Sequence, residues 1–237
     1  MQTTTLRRTA AALALAATLT GLAVAPALAA EAPSYDFSDC PAIPAGVDAA
    51  QWKCEVLTAT GSLHLGSRDI PELAPMTITH AEGPLPDGSK GQVWGALRGG
   101  PTPVPGGLTG HGPLPLALQP EYGGRSDFYS VGDRMGLFTL RYRVVSPLLP
   151  EGCVIGTEEA PIEIRLRRVG SSEWISKNPP VIKFAATDTA FTAPAATDCG
   201  PLTRLVNHRL GLPAQTGNTL TLSALYTFKT YDQLPPR

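Results

Sequence analysis

The run Gly136-Leu-Phe-Thr-Leu-Arg-Tyr-Arg-Val-Val145 alternates without a break: Phe138, Leu140, Tyr142 and Val144 share one face, and Leu137, Thr139, Arg141 and Arg143 share the other. Successive side chains of a strand point to opposite faces, so this pattern belongs to an antiparallel strand with one face on a core and one in water. Pro161-Ile-Glu-Ile-Arg-Leu-Arg-Arg-Val169 repeats the scheme, with Ile162, Ile164 and Leu166 inward, and Arg168 on the same side by the same count. The Gly170-Ser-Ser that follows predicts a turn leading back through Trp174-Ile175.

The same alternation recurs on both sides of these two runs. Glu55-Val-Leu-Thr-Ala-Thr-Gly-Ser-Leu-His-Leu65 and Met76-Thr-Ile-Thr-His-Ala81 read as strands. Pro86-Asp87-Gly88 then marks a turn before Gln92-Val-Trp-Gly-Ala-Leu-Arg98, so residues 76–98 predict a hairpin with a long tip. Residues 114–118, 128–131 and 181–184, and Leu220-Thr-Leu-Ser-Ala-Leu-Tyr-Thr-Phe228, complete the set. One helix is expected: Pro201 suits a first helical position, Leu202, Leu205, Val206 and Leu210 recur at helical spacing, and Gly211 ends it.

Gly and Pro number 24 each in 237 residues, and they cut the chain into short segments throughout its length. Many short strands without βαβ alternation argue for an all-β fold, expected as an antiparallel two-sheet sandwich with one short helix near the C-terminus. Residues 30–237 are read as a single β-sandwich domain, with the Gly/Pro-rich stretch 99–115 as a long surface loop within it.

The N-terminus carries Arg7-Arg8, an Ala/Leu-rich run and then Pro26-Ala27-Leu28-Ala29-Ala30. A basic start, an apolar middle and a small-residue cleavage site make residues 1–29 a secretory signal peptide by expectation. The expected location is secreted, extracellular or associated with the cell envelope, with no membrane span left after cleavage. Nineteen Lys and Arg balance twenty Asp and Glu for a net charge of −1, so a charge-driven nucleic-acid partner is excluded.

Cys40, Cys54, Cys153 and Cys199 are spaced 14, 99 and 46 apart, an even count in an exported chain and no Cys-x-x-Cys pair. That reads as two disulfides with three possible connectivities. Cys40–Cys54 with Cys153–Cys199 is favoured because short loops close by local encounter. In the chain-entropy picture the shorter loop contributes roughly 3 kcal/mol and the longer about 4.

No nucleophile elbow, metal-binding helix or phosphate loop is present, so no catalytic residue, resident metal or cofactor is assigned from motifs. His64 and His80 both sit on strand-like runs, with Glu82 near as a third ligand, but the separation matches no ligand signature and both read as polar strand positions. His111 is expected in solvent and His208 at a helix C-terminus. Glu55, Glu82, Glu121, Asp127 and Asp133 are the candidate carboxylates for acid–base work, and Asp127 with Asp133 a weak calcium candidate. Trp52, Trp94 and Trp174 form an aromatic platform if they share an exposed face. Arg141, Arg143, Arg165 and Arg167, with Arg168, make a basic stripe if their strands are neighbours, suited to an anionic cell-wall polymer.

Several segments resemble uncharacterised secreted proteins of actinobacteria: Asp39-Cys-Pro-Ala-Ile-Pro-Ala-Gly-Val-Asp48, Trp52-Lys-Cys-Glu-Val56, Pro75-Met-Thr-Ile-Thr-His-Ala-Glu-Gly83, Cys199-Gly-Pro-Leu202 and Leu210-Gly-Leu-Pro213. The resemblance implies export and shared ancestry and brings no site residue with it. The sequence thus points to a non-catalytic extracellular β protein bound to the envelope. A carrier of an apolar small ligand held between the sheets, and a carboxylate-dependent hydrolase, are the alternatives.

Overall fold

The computed structural model describes residues 35–236, and the expected signal peptide lies outside them. The chain runs through β1 (Lys53–Leu65), β2 (Arg68–Ile70), β3 (Met76–Pro84), β4 (Lys90–Gly99), β5 (Thr102–Pro103) and β6 (Ala117–Asp127). It continues with β7 (Arg134–Val145), β8 (Val154–Ile155), β9 (Ile162–Lys177), β10 (Pro180–Asp188) and β11 (Ala196–Thr197). A 3-10 turn, Gly200–Leu202, leads into α1 (Thr203–Leu210), and β12 (Thr219–Thr230) follows. The expected helix is therefore present, ended by Gly211 in the left-handed region at φ 71°.

Every strand pair is antiparallel, in the order β4-β3-β1-β12-β10-β9-β7-β6. The short strands attach at the margins: β2 on β1, β5 on β6, and β8 with β11 on β7. The all-β class holds, but the strands form one hydrogen-bonded sheet curled into a half-barrel, where alternation alone predicted two stacked sheets. The physical reason is twist. A long sheet of twisted strands coils until its apolar face meets itself, which satisfies the one-face-apolar pattern without a second sheet. The outermost strands β4 and β6 meet through side chains: Trp94 stacks on Tyr122 at 3.8 Å between centroids, and Gln119 Nε2 donates to the Gly99 carbonyl at 3.0 Å.

The inward positions fill this curl with a contiguous cluster that includes Ala59, Leu63, Ile78, Leu118, Phe138, Leu140, Ile162, Ile164, Leu220 and Leu222. Val206 and Leu210 of α1 join the cluster. Residues 99–115 run mostly along the surface, and two apolar side chains anchor the stretch to the core. Val104 is 3% and Leu108 1% exposed, and the Arg209 guanidinium donates to the carbonyls of Pro105 and Gly107.

Two disulfides join Cys40 to Cys54 and Cys153 to Cys199, the pairing that loop length favoured. The first holds residues 35–52 across the outer face of β1 and β3. Trp52 is fully buried there and donates from Nε1 to the Pro84 carbonyl at 2.8 Å. A Cβ on Gly83 would lie 2.6 Å from the Trp52 ring, so only glycine lets the indole close on the end of β3.

Candidate functional site

At one end of the curl the inward positions change from aliphatic to polar and aromatic. Counting inward along β1 from Leu63 gives Ala59, Leu57 and then Glu55; along β3, Met76 and Ile78 are followed by His80 and Glu82. Register does the rest. Glu55 stands directly opposite His80 on β3 and Phe228 on β12, and His80 opposite Trp94 on β4. One ligand atom from each of Glu55, His80 and Glu82 falls within 4.8 Å of the others.

Glu55 and His80 are each 5% exposed, while Glu82 is half-buried and reaches the mouth. His80 Nε2 lies 3.3 Å from Glu55 Oε2, close enough for charge attraction but without hydrogen-bond geometry. Both ring nitrogens of His80 and Glu55 Oε1 are buried with no hydrogen-bond partner among the described residues. The ring is instead held by packing on Phe128 at 4.5 Å between centroids. Gln92 links β4 to this group: its Oε1 accepts from the Phe128 amide at 3.1 Å and its Nε2 faces Glu82 at 3.5 Å.

The two carboxyls are driven apart in acidity. Burial pushes Glu55 up, but the polar and charge influence of the adjacent His80, with Tyr226 and Glu82 adding to it, outweighs burial and holds Glu55 below the ordinary range. Burial pushes Glu82 up as well, and the neighbouring Glu55 charge adds to that, so Glu82 stays above it. The Tyr226 hydroxyl is raised by burial and then by Glu55. Two carboxylates and one imidazole, two of the three side chains buried, make an acidic site suited to a cation. The rim carries cations already: Lys53 sits over Phe228 at 4.7 Å and Lys90 over Tyr129 at 5.5 Å.

The other sequence candidates are dispersed. His64 is on β1 but far along it, paired with Asp69 at 2.6 Å, and His111 and His208 are exposed. Asp127 accepts from the Tyr129 amide while Asp133 pairs with Arg167 at 2.8 Å, so those two acids do not converge. Trp52 is under the N-terminal segment, Trp94 is on the inner face against Tyr122, and Trp174 is exposed on β9, three separate surfaces.

Arg141, Arg143, Arg165 and Arg167 do occupy one outer sheet face, but each is matched by an acid. Arg141 faces Glu158 at 3.3 Å and Glu121 at 3.6 Å, Arg143 faces Glu121 at 3.3 Å, Arg165 pairs with Glu163, and Arg167 with Asp133. A cleft of about 760 Å³ opens beside Arg165 and Arg167, and its wall includes Glu163 and the buried Asp188, whose Oδ2 accepts from the Arg165 amide at 2.6 Å. No family model, curated protein or solved structure matches the chain.

Proposed function

We propose that the protein works outside the cytoplasm, exported by its N-terminal segment, as a non-catalytic binding protein that holds a small cationic ligand at the mouth of the curled sheet. The observation that carries this reading is the convergence of Glu55, His80 and Glu82 where the aliphatic filling stops. Two disulfides suit an oxidising compartment, and among the described residues no helix is long and apolar enough to cross a membrane.

An anionic wall polymer bound by the arginine face draws less support, because acids already offset the four guanidinium groups. A carrier with its apolar ligand inside the curl draws less as well, because side chains fill that interior. Hydrolysis by Glu55 and Glu82 is favoured by their divergent acidities, the usual mark of an acid–base pair. Burial argues the other way: Glu55 is 5% exposed and leaves little room for a substrate beside it.

The test is native mass spectrometry of the protein recovered from its own culture medium, beside a Glu82→Gln variant. A bound mass present in the first and missing from the second is expected. The bare polypeptide mass in both, or an adduct that survives the substitution, overturns the reading.

A further inference from the structure

Resting on the cation-binding reading of the mouth, we infer that Glu55, His80 and Glu82 form a three-ligand site for a divalent first-row metal ion, with zinc the best-fitting member. Three features carry this beyond a cluster of acids. The first is spacing. Bonds of about 2.0 Å to a tetrahedral ion set neighbouring ligands roughly 3.3 Å apart, and His80 Nε2 lies 3.3 Å from Glu55 Oε2. At that distance a hydrogen bond is within reach but is not made, which leaves both atoms available as ligands.

The second feature is unmet demand. Glu55 Oε1 and His80 Nε2 are buried without partners, on side chains only 7% exposed. A buried polar atom left unpaired costs roughly 1–3 kcal/mol, and a buried charge more, so such atoms in a folded protein call for a counterpart. A dication between two carboxylates brings the group close to neutrality and gives the buried atoms that counterpart.

The third feature is the donor set. Calcium takes six to eight oxygen ligands, and magnesium keeps most of its waters, whereas an imidazole nitrogen with two carboxylate oxygens suits zinc. Three protein ligands leave a fourth position for water or a ligand group, the open form of a zinc site. Neighbours supply the setting: Gln92 faces Glu82, Phe128 packs on the imidazole, and the Trp52–Pro84 hydrogen bond pins the end of β3 that carries Glu82.

The experiment strips the full chain with a chelator and titrates it with zinc by calorimetry, following thermal melting in parallel and repeating the titration with magnesium. The variants are Glu82→Gln, His80→Gln and His64→Ala, with far-ultraviolet circular dichroism to confirm each fold. His64 with Asp69 is the other close histidine–carboxylate pair, at 2.6 Å and in solvent, and so serves as the internal control. One zinc per chain, a raised melting temperature, no effect of magnesium, and binding at least about tenfold weaker in Glu82→Gln are expected, with His64→Ala unchanged. Because Glu82 is half-buried, its variant keeps the test open even where His80→Gln fails to fold. Absence of saturable zinc binding, unchanged binding in Glu82→Gln, or loss on changing His64 overturns the inference. If zinc fails to bind while an organic cation is still retained at the mouth in a Glu82-dependent way, the inference falls and the proposed function stands.

Discussion

Glu55 and Glu82 are the residues whose surroundings disagree most with their chemistry. Alternation alone puts His80 and Glu82 on one face of β3, since they are two apart. It does not carry register, and a slip of one position would leave His80 facing Cys54 or Val56 instead of Glu55. Opposed acidities also have a measurable effect on the metal-free protein. Glu82 is held above its ordinary value of 4.5, so between 4.5 and its folded value the native chain keeps a proton the unfolded chain has lost, and stability falls as pH rises through that window. Glu55 is held below 4.5, so the unfolded chain binds the extra proton, and stability is lost as pH falls from 4.5 toward the folded value. With chelator present, the melting temperature is expected to peak on the acidic side of neutrality. Glu82→Gln flattens the decline above the peak, and thermal denaturation across pH checks both limbs.

At the scale of elements, the alternating runs were legible and the punctuation was harder to read. β7 and β12 follow their sequence patterns closely, and Pro86-Asp87-Gly88 makes the expected tip, with the Leu85 amide donating to the Ser89 carbonyl at 2.8 Å. Gly170-Ser-Ser was expected to reverse the chain, yet β9 runs straight through it to Lys177. Gly170 instead takes φ 70° beside a register shift between β9 and β10, the conformation of a bulge glycine, and the reversal comes at Asn178-Pro179. β6 carries Pro120 and Gly123-Gly124, which argue against a strand; the glycines fall in the register break between Tyr122 and Ser126, and Pro120 lies beyond the two positions that β5 pairs on the other edge. A Cβ at position 170 meets nothing within 4 Å, so any substitution there acts through the backbone alone. Gly170→Val is expected to destabilise by about 1–2 kcal/mol and Gly170→Asn by distinctly less, as read from denaturant midpoints.

For the molecule as a whole, one cation links segments far apart in the chain. Arg209, the next-to-last residue of α1, reaches the carbonyls of Pro105 and Gly107, and so ties a helix near the C-terminus to residues 99–115. Composition alone reads that stretch as a loop in solvent, because glycine and proline hide the two apolar anchors, Val104 and Leu108. Hydrogen bonds from a charged donor contribute about 1.5–3 kcal/mol each, so Arg209→Ala is expected to lower stability by several kcal/mol. Limited proteolysis is the check: cleavage within 104–115 should appear in the variant and be slow in the parent, and equal resistance would show that apolar packing alone holds the segment.

The meeting of β4 with β6 is a joint of a different kind from the rest of the sheet. Elsewhere around the wall, strands are laced edge to edge by their main chains, but along this one line the joint consists of a stacked indole and phenol and a few amide side chains. Parting it would sever no ladder, only the stacking of Trp94 on Tyr122 and the amide side-chain bonds. His80 stands opposite that same tryptophan, so the seam between the outermost strands and the polar cluster share a single ring.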